Sequence, residues 1–206
     1  MSADPNRVLC CGENPFIRIS ETDGGAETTI ASYWRNVMSP AGPGHVLYLK
    51  SEVTENRWRI WSDNIAMARW LQQTIQGMLN PELADLSIPV EDAAFEKDGD
   101  PHRFYTEYVT GDDAELALTW YDIGDPLMIH TQPGSGPGER PYGVNTVLIP
   151  ALGTRLLLNG EQAKGQAWPR EREGRPFSTS ALAFCESWTE QRQGFDAADR
   201  RSPSVG

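Results

Sequence analysis

Three carboxylates fall where a β-strand would turn them toward apolar or aromatic neighbours. Side chains two apart in a strand share a face. In 115–123 (ELALTWYDI) this aligns Asp122 with Trp120, Leu118 and Leu116. In 178–188 (STSALAFCESW) it aligns Glu186 with Leu182, Phe184 and Trp188, and in 102–110 (HRFYTEYVT) it aligns Glu107 with Tyr105 and Val109. An acid on an inward face is either held by partners or marks a polar spot in a pocket. Desolvation raises a carboxyl pKa, so such a group can hold and deliver a proton near neutrality. His130, in LMIHTQ on the face of Met128, is the fourth titratable candidate. Tyr105, Tyr48 and Trp120 can donate to a substrate oxygen, and Phe184, Trp188 and Trp58 can wall an apolar pocket.

A set of this kind suits reactions that need only proton transfer: isomerisation, hydration or dehydration, elimination or cyclisation. The expected activity is therefore that of a cofactor-free lyase or isomerase acting on a small, largely apolar, oxygen-bearing molecule. The alternative is a lipocalin-like carrier or sensor that binds the same kind of molecule without chemistry, since a fold does not fix an activity. Each acid also has a plainer role open to it. Asp122 precedes Ile123-Gly124-Asp125-Pro126 and can cap a turn. Glu186 lies near the end of its strand and can pair with an arginine at a rim. Most of the seven tryptophans are expected to fill the core.

Other chemistries find no pattern. The only histidines are His45, His102 and His130, with no HxH or HExxH spacing and no CxxC, so no metal site is expected. Gly134-Ser135-Gly136-Pro137-Gly138 superficially resembles a phosphate loop. A working phosphate loop opens a helix whose free N–H groups meet the anion, whereas here prolines remove donors and a strand follows. No cofactor is expected. The cysteines, Cys10, Cys11 and Cys185, are odd in number with two adjacent, which reads as reduced thiols rather than a disulfide framework.

The formal net charge of −11, from 29 acids against 18 bases, opposes contact with phosphate backbones and anionic lipid. Nucleic-acid and membrane partners are accordingly not expected, and a homodimer is compatible with the composition. No signal-like or spanning apolar run occurs, so the default location is the cytoplasm.

Nineteen glycines and 15 prolines in 206 residues fit a fold with many turns. About nine or ten short strands are predicted, with Asn159-Gly160 the clearest hairpin signal. One helix is predicted over 63–79, with Ser62 or Asp63 as its cap and Ala68, Leu71, Ile75 and Met78 as its buried stripe. Arg69, Gln72, Gln73 and Gln76 are expected to face water. Segment 27–38 carries Ile30, Tyr33, Trp34 and Val37 at helical spacing and is expected to form a short helix. The layout is mainly β, an antiparallel barrel or sandwich with a calycin-like barrel favoured, whose interior could hold one small ligand. Residues 8–189 are expected to form the single β-rich domain, between disordered ends at 1–7 and 190–206.

Overall fold

The computed structural model describes residues 6–135, 140–172 and 174–191. The bounds expected at the two termini fall partly outside this range. Within it, the first strand begins at Asn6 and the last ends at Gln191, and these two residues are partners in register.

The chain forms β1 (Asn6–Glu13), β2 (Phe16–Ser20), β3 (Glu27–Met38), β4 (Gly44–Ser51) and β5 (Trp58–Ser62) before its helix. After it come β6 (Val90–Asp100), β7 (Phe104–Gly111), β8 (Glu115–Ile123), β9 (Leu127–Thr131) and β10 (Tyr142–Leu158). The last four are β11 (Glu161–Gln162), β12 (Pro169–Arg172), β13 (Arg175–Ser178) and β14 (Ala181–Gln191). Twelve of these strands make one mixed sheet, and nine close into a ring. The ring runs β2-β3-β4-β5-β6-β7-β8-β10-β14 and returns to β2 through the pair Ala181 and Phe16. The barrel-like β fold expected from the turn-rich sequence is thus present. All pairings are antiparallel except β5 with β6. Parallel neighbours need a crossover, and the helix supplies it.

That helix, α1 (Ile65–Leu71), continues through a π-turn (Gln72–Gln76) and a last turn (Gly77–Leu79). Its cap is Asn64, whose side chain accepts from the Met67 amide at 3.1 Å. Neither Ser62 nor Asp63 caps it, because Asp63 is occupied by the backbone and ring of His45. Ala68, Leu71 and Ile75 are buried as the pattern predicted, with Met67 beside them, while Met78 is only half-buried. Gln72 and Gln76 are also buried, contrary to expectation. The π-turn inserts a residue into the helical repeat, which rotates these positions toward the sheet.

Segment 27–38 is a strand, not a helix. It pairs on both edges, with β2 and with β4, and both of its faces are covered. Ala31 and Tyr33 point into the ring, while Ser32, Trp34 and Asn36 lie on the other side beneath α1. A strand buried on two faces has no clean alternation, so its apolar residues fell by coincidence at helical spacing.

The ring interior is a filled core. Trp61, Trp120, Tyr33, Leu47, Leu49, Leu118, Leu156 and Leu182 meet there, and every ring strand contributes. The expected ligand cavity inside the barrel is therefore replaced by packed side chains. The second core lies outside the ring, where α1 covers Trp34, Val46, Tyr48, Ile60 and Trp188. β10 serves both halves of the ring as one long strand through Pro150, pairing first with β14 and β9, then with β8 and β11. The Asn159-Gly160 turn follows it, with both residues at positive φ, as the hairpin signal predicted.

Candidate functional site

The outer face of the sheet carries a cleft of about 300 Å³. Its walls are the end of α1 with Leu79 and Asn80, and β9 and β10 with Ile129 and Leu148. Phe16 and Ser32 belong to its floor, where Glu186 also lies, only 5% exposed.

The backbone of β14 explains why Glu186 reaches this cleft. Cys185 has φ 53°. Asn145 pairs with Ser187 and Val147 with Phe184, so Thr146 alone opposes both Cys185 and Glu186. This is a β-bulge, and it reverses the side-chain alternation. Leu182 and Phe184 belong to the ring interior. Glu186 and Trp188 face the cleft and the core under α1. The shared face predicted for Phe184 and Glu186 does not exist.

A hydrogen-bonded chain ends on the Glu186 carboxyl. Trp188 Nε1 donates to Oε1 at 2.7 Å and Asn14 Nδ2 to the same oxygen at 3.1 Å. Ser32 Oγ donates to Asn14 Oδ1 at 3.2 Å. Trp34 Nε1 and Gln76 Nε2 donate to Ser32 Oγ at 3.0 and 3.1 Å. Asn80 Nδ2 donates to Gln76 Oε1 at 3.3 Å. Donors run toward Glu186 at every step, so the carboxyl is the terminal acceptor. Burial pushes its pKa above the usual carboxyl range, and the bonds from Trp188, Asn14 and Thr146 only partly oppose that. The neighbouring Cys10 thiol is pushed up to about 12 by its own burial, with Glu186 adding to the shift.

Glu107 occupies a different compartment. It is fully buried inside the ring and accepts from Arg35 Nη2 at 3.0 Å and from Tyr105 Oη at 2.9 Å. Arg35 also meets Glu13 at 3.3 Å and Tyr33 Oη at 3.4 Å. Burial pushes the Glu107 carboxyl up, against the pull of Arg35 and the two tyrosines. Burial lowers the Arg35 guanidinium, but Glu107, Tyr33 and Tyr105 together outweigh that cost and hold it above its ordinary value. A buried acid so surrounded is a structural ion pair. Glu107 is absent from the lining of the open hollow at this end of the ring, which reaches Glu13, Lys97, Tyr105 and Phe184.

The other predicted residues separate further. Asp122 is exposed, with φ 50°, and Tyr121 beside it is also exposed. The left-handed backbone at Asp122 turns it away from the face of Trp120, to the edge of a second, mainly apolar cleft of about 290 Å³ with Pro126, Leu127 and Phe177. Trp120 is fully buried and donates to the Phe16 carbonyl at 3.0 Å. His130 lies exposed on β9, beside Met128 at 81% exposure, and bonds Asn145 and Gln132. Tyr48 donates to the Ala68 carbonyl at 2.6 Å and so anchors α1. Trp58 donates to Glu82 at 2.9 Å, away from the cleft. Tyr105 and Phe184 meet edge to face with ring centroids 5.7 Å apart inside the ring. Of the ten predicted site residues, Glu186 and Trp188 alone line the cleft.

Asn14, Ser32 and Gln76 complete the network but went unpredicted. Asn14 stands before Pro15 at the break between β1 and β2, a position where a strand must release its ladder. Ser32 and Gln76 were hidden by the two misjudged periodicities. The three histidines do not converge: His45 stacks on Phe95 at 5.2 Å, His102 lies in the turn before β7, and His130 is on β9. Among the described residues no group of three or more metal-ligating side chains occurs, and no helix is long and apolar enough to cross a membrane. No protein-family model, curated protein or solved structure matches this chain.

Proposed function

We propose that the protein binds a small, largely apolar, oxygen-bearing molecule in the cleft between α1 and the outer face of the sheet. Glu186 is the polar anchor that fixes its orientation. The observation that supports this reading is the buried carboxyl of Glu186 at the floor of a mainly apolar cleft. Concave apolar sites with a few convergent polar groups are the usual form of small-molecule sites. A cleft of about 300 Å³ lies at the small end of their range. Binding without chemistry is favoured over multi-residue catalysis because Glu107, Asp122 and His130 each stand elsewhere. Among the described residues, no second acid or imidazole lines this cleft to share a proton with Glu186.

One observation keeps a second reading in view. The raised Glu186 pKa suits a lone general acid, which would make the protein a lyase or isomerase acting through a single group. A titration of 1-decanol against cleft-bound Nile red fluorescence tests the cleft as the site common to both readings. Displacement that is lost in Ile129→Trp, with the thermal midpoint kept, supports the cleft as the binding site. Absence of displacement in the unaltered protein, or displacement undiminished in the filled variant, overturns it.

A further inference from the structure

The cleft has a charged mouth that runs against the character of the whole chain. Arg18, Arg140 and Arg172 all line it, in a protein of net charge −11. They come from β2, from just before β10, and from β12. Arg18 shares its charge with Glu27, at 3.2 Å to both carboxylate oxygens. Arg140 and Arg172 have no acidic partner among the described residues, unlike Arg7, Arg35, Arg57, Arg59 and Arg170. Arg172 lies over the Phe177 ring at 6.0 Å, and Phe177 lines the same cleft. The β12–β13 ribbon thus presents a cation and its aromatic support to one opening.

Among the described residues, Glu186 is the only acid in the lining. Unpaired guanidinium groups at an apolar mouth select an anion, because their planar forks match carboxylate and phosphate oxygens.

Resting on the cleft reading above, we infer that the ligand is an amphiphilic anion, its apolar body in the cleft and a carboxylate or phosphate head on Arg140 and Arg172. The experiment compares 1-decanol, decanoate and decyl phosphate, titrated against the same bound dye at low salt. An anionic probe is expected to bind about 10-fold more tightly than the alcohol, and the tighter of the two anions identifies the head group. In an Arg140→Gln/Arg172→Gln variant this preference falls below about 3-fold, and added salt narrows it in the unaltered protein. Equal affinity for the alcohol and both anions, or a preference that survives the double variant, overturns the inference and leaves the cleft reading standing. Failure of all three probes to bind overturns both.

Discussion

Phe184 and Glu186 are two residues apart in β14 and face opposite sides of the sheet. The left-handed backbone of Cys185 between them produces the reversal. A non-glycine residue in that conformation costs roughly 1–2 kcal/mol. Cys185→Gly is expected to keep the bulge and raise stability by up to about 1 kcal/mol, glycine's extra unfolded-state freedom offsetting part of the gain. Cys185→Val is expected to lower it by about 1–2 kcal/mol, because a β-branched residue resists positive φ. Urea unfolding measures both. Equal midpoints for the two variants would show that the bulge is not a site of strain.

The raised pKa of Glu186 makes a prediction about pH. An unfolded glutamate titrates near 4.3, and burial places the folded value above this. The folded state then binds the proton more tightly than the unfolded state. Its stability is penalised once Glu186 ionises, so the penalty is absent well below pH 4 and grows as pH rises through the folded pKa. Glu186→Gln keeps an acceptor for Asn14 and Trp188 but cannot ionise. Its thermal midpoint should exceed that of the unaltered protein by about 2–4 °C at pH 8, the effect of about 1 kcal/mol in a domain of this size. The difference should shrink toward zero as pH falls to 4.5. Glu107 titrates in the same sense in both proteins and cancels from the comparison. A difference that grows on acidification would contradict the assignment.

The ion pair inside the ring should behave in the opposite manner to a ligand site. Arg35→Met leaves Glu107 buried without its cation and is expected to cost about 3–5 kcal/mol. Adding Glu107→Leu should recover most of that loss, since an apolar pair of similar size replaces the ion pair. Neither Arg35 nor Glu107 lines the cleft, so dye binding in the double variant should match that of the unaltered protein. Chemical denaturation and dye titration on the same samples check both halves. A double variant as unstable as Arg35→Met alone would point to a role beyond charge neutralisation.

How much of this was legible in the sequence depended on local signals. Turn residues and alternation disclosed the β-rich ring, and Asn159-Gly160 marked its hairpin. The helix showed its stripe at Ala68, Leu71 and Ile75, but nothing in its residue types announced the π-turn that buries Gln72 and Gln76. β3 read as a helix because both of its faces are covered, so period two was erased. Glu186 shares a face with Trp188, as alternation predicts, but not with Leu182 or Phe184. Its burial follows from a bulge at a cysteine, a residue that carries no mark of left-handed backbone. Arg35, the partner of Glu107, fell in the segment misread as helix. Long-range pairing, rather than any local preference, set each of these outcomes.

β14 joins β10 on one side and β1 and β2 on the other, so it is the seam of the ring. It comes last of the described strands, and it carries both Glu186 and Trp188. Val8 waits for Thr189, and Phe16 for Ala181, across most of the polypeptide. Contacts so distant in sequence form late, because the intervening chain must first be ordered. The floor of the cleft is thus assembled at the moment the ring shuts. A nascent chain halted before residue 181 would hold the helix and most of the strands, yet lack Glu186 and Trp188 at the floor of the cleft.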